Sequence, residues 1–243
     1  MQWDLNLDKD ILLKQGYTPY KLPNSLISVI NEIFDIIPTF YMVDRGQKIR
    51  TKILGYNDKN NDFKNRHQHL KNHNFVIYEI CELDQTHLNF RQVALENLEV
   101  VEHSYCVSVD YSDYDLKSLR IYNEFYQNFL ANLYVSLSTS VPTKTNFYFV
   151  KYPEWPKIWQ LRYQIPIFKM GLHTDQSLLT HIVSNDKGLI IHHKAKMHNV
   201  CNSLNSAVIL AGSQQNEIPH CLHRVENYNR KMTRYSLINF LTK

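Results

Sequence analysis

The sequence predicts an α+β protein that is mainly β, with helices in its first part and a second half of short strands closed as a sandwich or barrel. Three observations predict it. Two long stretches carry apolar residues at helical spacing, and both lie before residue 140. Beyond them, short apolar runs alternate with turn formers: NFYFV, IWQLRYQI, LLTHIV, GLIIHH, SAVILAG, CLHRV and RYSLINFL. The composition also suits a packed chain, because 44% hydrophobic and 12% aromatic residues, with 16 Tyr and only 6 Gly, supply a core and argue against disorder.

The elements follow in chain order. PNSLISVINEIFDIIPTF sets Leu26, Val29, Ile30, Ile33, Phe34 and Ile37 on one helical stripe, with Asn24 or Ser25 as N-cap and an end before Pro38. The stretch 44–74 is polar, rich in Lys and Asn, and contains His67, His69 and His73; it predicts a loop or a mobile flap. FVIYEI within 74–82 predicts a strand, and HSYCVSVDY around Cys106 predicts another by alternation, with the region between them unassigned. DLKSLRIYNEFYQNFLANLYVSLS then repeats Leu119, Tyr122, Tyr126, Phe129, Leu133 and Leu137 at three- and four-residue steps, a core-facing helix bounded by Pro142. No internal repeat or low-complexity linker divides the chain. Residues 1–243 therefore read as a single domain, a helical part with some strands over 1–140 and a strand-rich half over 141–243.

Charge and cysteine usage narrow the classes of function. A formal net charge of +4 is spread without a basic block, so nucleic acid is not an expected partner. The four cysteines, Cys81, Cys106, Cys201 and Cys221, have no CxxC spacing and do not make a disulfide scaffold, which fits a reducing cytoplasm. The start MQWDLNLDKD is acidic, and no apolar run approaches the ~20 residues that span a bilayer, so no membrane association is expected.

The chemistry concentrates in the second half. In GLHTDQSLLTHIV, His173 and Asp175 are two apart at what reads as a strand edge, where period-two geometry sends both side chains to one face. His223, in IPHCLHRV, offers a third ligand from a distant strand. Two imidazoles and a carboxylate form the facial set that holds iron(II) with positions left open for a co-substrate and dioxygen. Arg234 and Ser236, in RYSLINFL, again share a strand face; a guanidinium fork with a hydroxyl beside it is an anchor for a carboxylate. The histidine groups 67/69/73 and 192/193/198 lack Cys or carboxylate at ligand spacing and read as solvated, while His181 and His220 flank the proposed site.

The order HTD, GLII, AVILAGSQQNEI, LHRV and RYS over 159–241 resembles the catalytic half of the isopenicillin N synthase-like group of iron(II)/2-oxoglutarate-dependent dioxygenases. The resemblance implies a double-stranded β-helix, or jelly roll, with iron at its mouth, held by His173, Asp175 and His223. It places 2-oxoglutarate or a substrate carboxylate on Arg234 and Ser236, with Tyr163 as a further carboxylate contact, and implies dioxygen and a small-molecule substrate. It implies an oxygenase, or else a 2-oxoglutarate-independent oxidase of the isopenicillin N synthase or aminocyclopropanecarboxylate oxidase type. A non-catalytic metal-binding module on the same fold is the alternative from another class. The interval between Asp175 and His223 is compressed relative to that group, and the first hundred residues lack its usual pattern.

Overall fold

The computed structural model describes residues 3, 5–53, 74–97, 99–138, 142, 144–154, 170–200, 205–226 and 232–243. Helices α1 (Lys9–Gln15), α2 (Asn24–Phe40) and α3 (Lys117–Val135) accompany strands β1 (Tyr17–Lys21), β2 (Arg50–Ile53), β3 (Phe75–Leu83), β4 (His87–Glu96), β5 (Glu99–Ser108), β6 (Lys144–Tyr152) and β7 (Met170–His173). The remaining strands are β8 (Leu179–Ser184), β9 (Leu189–His193), β10 (Lys196–Val200), β11 (Ser206–Ala211), β12 (Leu222–Val225) and β13 (Arg234–Thr242). They form a nine-stranded sheet in the order β1-β11-β8-β13-β6-β3-β4-β5-β2 and a four-stranded sheet in the order β10-β9-β12-β7. Every described pairing is antiparallel. This is a mainly β jelly roll with helices against the outer face of the larger sheet, as the sequence predicts. Among the described residues no helix is long and apolar enough to cross a membrane.

Period two along β13 explains how one strand serves two cores. Leu237 and Leu241 turn toward the helices, joining a cluster that includes Leu26, Ile30 and Ile33 of α2 and Leu119, Tyr122, Tyr126 and Leu130 of α3. Ile238 turns the other way, into a cluster between the sheets with Val150, Tyr152, Ile182, Leu189, Val208 and Val225. Each fully buried Leu, Ile or Val contributes roughly 1.5–3 kcal/mol. Strand β8 is buried at all six positions because helices cover one of its faces and the smaller sheet the other.

Several boundaries differ from the sequence reading. Helix α2 continues through Pro38 to Phe40, and its N-cap is Pro23, without a side-chain cap, instead of Asn24 or Ser25. A proline in the last turn sacrifices little: Tyr41 N–H still bonds the Pro38 carbonyl and Met42 N–H the Thr39 carbonyl, each at 3.1 Å. The stretch expected to be a loop or flap contains β2, an exposed edge strand paired with β5; residues 54–73, with His67, His69 and His73, lie outside the described residues. The unassigned region holds β4, which completes the meander β3-β4-β5. The short α1 was not predicted; Asp8 caps its first turn and Gly16 closes it at φ 78°.

Candidate metal centre and carboxylate pocket

Strands β7 and β12 pair with His173 directly opposite His223, which brings the two imidazole centroids to 4.3 Å. Asp175 lies just beyond the end of β7, where its carbonyl accepts hydrogen bonds from the Ser213 N–H at 2.8 Å and the Ser213 hydroxyl at 3.1 Å. That anchored turn directs the carboxylate back between the imidazoles. His173 Nε2 stands 3.4 Å from Asp175 Oδ1, and His223 Nε2 stands 3.7 Å from Asp175 Oδ2. One donor atom from each of the three residues lies within 4.8 Å of the others. Donors bound to one first-row ion at about 2.1 Å and at right angles are about 3 Å apart, so a small contraction would close this set on a cation.

The surroundings prepare these groups as ligands. His223 Nδ1 donates to the Cys221 carbonyl at 3.2 Å, which leaves Nε2 facing Asp175. Burial pushes the His223 pKa down against the opposing pull of Asp175, keeping the imidazole neutral near pH 7. Burial also raises the Asp175 pKa, but His223, His173 and Thr180 together outweigh it, and the carboxylate is held below its ordinary range. Asp175 Oδ2 is buried without a hydrogen-bond partner among the described residues. A desolvated carboxylate oxygen set between two imidazoles fits a divalent cation, which would satisfy it.

Arg234 and Ser236 lie on the inward face of β13, each 1% exposed. Arg234 Nη2 donates to Ser184 Oγ at 2.6 Å and its Nε to the Asp186 carbonyl at 3.1 Å, while its guanidinium carbon lies 4.9 Å from the Tyr152 ring centroid. Ser184 and Ser236 share a hydrogen bond at 2.8 Å across the β8–β13 pairing. One cavity of about 90 Å³ is lined both by His173, Asp175 and His223 and by Arg234, Ser236 and Tyr152.

The five residues expected at the site, other than Tyr163, therefore meet in one cavity. Tyr163 lies outside the described residues. Tyr152 and Ser184 escaped the sequence reading: Tyr152 shares a face of β6 with Tyr148 and Val150, and Ser184 reaches the site only through its pairing opposite Ser236. His181 does not flank the cavity but points to the helix side of the sheet, bonded to Tyr20 Oη at 2.8 Å. His220 instead bonds the Gln215 carbonyl at 2.7 Å. Among the described residues, His173, Asp175 and His223 are the only group of three or more His, Cys, Asp or Glu residues with converging donor atoms.

No family model matches the sequence, and no curated protein matches it. Solved structures do. A Shewanella oneidensis protein, provisionally described as an oxygenase, superposes with a TM-score of 0.61 at 14% identity over 96% of this chain and 84% of its own. A full-length Neurospora crassa protein, solved in complex with alpha-KG, superposes with a TM-score of 0.58 at 11% identity over 93% of this chain and 75% of its own.

The chain has the fold of the iron(II)/2-oxoglutarate oxygenases. A third structure with this oxygenase fold, JOX2 in complex with 2OG, Fe and JA, gives a TM-score of 0.51 at 11% identity over 96% of this chain and 69% of its own. The likeness extends over differently named members of the oxygenase fold, so it marks the superfamily fold and not the isopenicillin N synthase-like group in particular.

Proposed function

We propose that this protein is a non-haem iron(II), 2-oxoglutarate-dependent oxygenase that hydroxylates or otherwise oxidises a small organic substrate, with residues 1–243 forming one catalytic domain. The observation that carries the reading is that His173, Asp175 and His223 share a cavity with a buried guanidinium, Arg234. His173, Asp175 and His223 would hold the iron; Arg234 and Ser236 would hold the distal carboxylate of 2-oxoglutarate. When bound, iron(II), 2-oxoglutarate and dioxygen supply the oxidising chemistry: one oxygen atom ends in succinate and the other in the oxidised substrate, with release of carbon dioxide. A neutral His223 is ready to ligate without first losing a proton. Ser184 accepts from Arg234 and shares a hydrogen bond with Ser236, so the clamp is ordered before a ligand arrives. Tyr152 supports the guanidinium from beneath, and the apolar wall of Ile182, Leu189, Val225 and Ile238 keeps water from the space between clamp and triad.

The test is anaerobic iron(II) titration with and without 2-oxoglutarate, followed by the weak visible charge-transfer band of the chelate. The band is expected in the wild type and weakened in Arg234→Ala, with succinate released on admission of oxygen. Iron binding without a band would favour the oxidase chemistry that needs no 2-oxoglutarate, and absence of iron binding would overturn the reading.

A further inference from the structure

We propose that Arg91 recognises an anionic group of the substrate, so that the molecule oxidised is a small organic acid with an apolar or aromatic body. The oxidation rests on the oxygenase reading above; the recognition does not.

The cavity carries two guanidiniums, Arg234 and Arg91. They serve different places. Arg91 lies in a cross-sheet row with Ile80, Val150 and Ser236, opposed in turn along β4, β3, β6 and β13, and these side chains share the inward face. Neighbouring strands are about 4.8 Å apart, so the β4 and β13 backbones are separated by about 14 Å across that row. A five-carbon diacid anchored on Arg234 and reaching for the triad leaves Arg91 unengaged. The second cation therefore calls for a second anion.

The surface between Arg91 and the triad defines the rest of the ligand. The Arg91 guanidinium lies 5.9 Å from the Tyr148 ring centroid, and Tyr148 meets Phe240 edge to face at 5.5 Å. Phe240 pairs with Thr180, whose side chain bonds Asp175. An aromatic path thus runs from the cation to the candidate metal ligands, flanked by Ile80 and Ile238. A ligand on this path can place an acid on Arg91 and a carbon near the triad. The stacked ring restrains the arginine without using its donors.

Arg91 also remains available. It forms no ion pair among the described residues. The carboxylates near it are Glu82 on β3 and Glu102 on β5; with Arg91 they act on the Tyr148 and Tyr78 hydroxyls respectively, yet neither closes on the guanidinium. Because Arg91 is solvent-exposed, an acid docking on it gives up only part of its hydration.

The experiment compares 3-phenylpropanoate with its amide by calorimetry, on the full chain loaded anaerobically with iron(II) and 2-oxoglutarate and again on the metal-free chain. The acid is expected to bind wild type about tenfold more tightly than the amide, as for a partly screened charge-assisted hydrogen bond. Arg91→Ala and Arg91→Gln should abolish that preference while leaving 2-oxoglutarate affinity and Tm unchanged, and Arg91→Lys should retain part of it. Equal binding of acid and amide to wild type, absence of acid binding, or a preference that survives in Arg91→Ala would overturn the proposal. A preference that depends on Arg91 in a chain that binds neither iron nor 2-oxoglutarate would uphold the anion site and overturn the oxygenase reading separately.

Discussion

Asp175 is held ionised in a buried place, with Oδ2 lacking any hydrogen bond among the described residues, and that arrangement is costly unless a cation completes it. Asp175→Asn keeps the shape and removes the charge, so iron(II) affinity in equilibrium dialysis should fall by more than about a hundredfold. An unchanged affinity would remove Asp175 from the ligand set. Arg234→Lys keeps the charge but removes the planar fork that reaches Ser184 and the Asp186 carbonyl together. Its 2-oxoglutarate affinity should fall about tenfold to a hundredfold with iron(II) affinity retained, measured by calorimetry under nitrogen. Residue types alone made these positions legible, because few other reasons put His-x-Asp, a later His and Arg-x-Ser in that order. Ser184 and Tyr152 were not legible, since a serine and a tyrosine in apolar strands look like core until the strand opposite is known.

At the scale of elements, the turn from β8 into β9 shows how a distant strand is held at the site. Gly188 has φ 134°, and a Cβ there would stand 1.9 Å from the Glu226 carbonyl oxygen, just past β12. Glu226 N–H also donates to the Gly188 carbonyl at 2.7 Å, fastening the end of the strand that carries His223. Gly188→Ala combines backbone strain with this clash, and should cost at least about 2 kcal/mol and lower Tm by about 4–8 °C in a thermal melt. A melt that matches wild type would show that the turn relaxes freely. Strand β4 was illegible because Val93, Ala94 and Leu95 are buried in succession, which hides the alternation. Helix α1 spans two turns and buries only Leu12, too little for a periodic signal.

Across the whole molecule, the larger sheet separates the candidate site from a buried polar cluster on the helix side. There His181 stacks on Tyr126 at 3.8 Å and bonds Tyr20 Oη, which in turn lies 3.0 Å from Tyr126 Oη. Burial drives the His181 pKa down to about 3, against an ordinary value of about 6.5 in an unfolded chain. Between these values the unfolded state takes up a proton that the native state refuses. This contribution to stability is complete above about pH 6.5 and is lost as the pH falls toward 3, at up to about 1.4 kcal/mol per pH unit. His181→Gln should flatten the fall of Tm across that interval, and an identical fall in both proteins would show that His181 is not the group responsible.

By itself, the sequence determined that the chain is mainly β with helices alongside, and it singled out in the second half the side chains that are candidates for its chemistry, because hydrophobic periodicity and ligand chemistry are local properties. Tertiary structure alone decided that His223 stands opposite His173, that Arg234 rests on Tyr152 and Ser184, and that Arg91 faces the same cavity from another part of the sheet. The physical reason is that these contacts depend on strand order and register, and a shift of one residue in pairing turns every side chain of a strand to the opposite face.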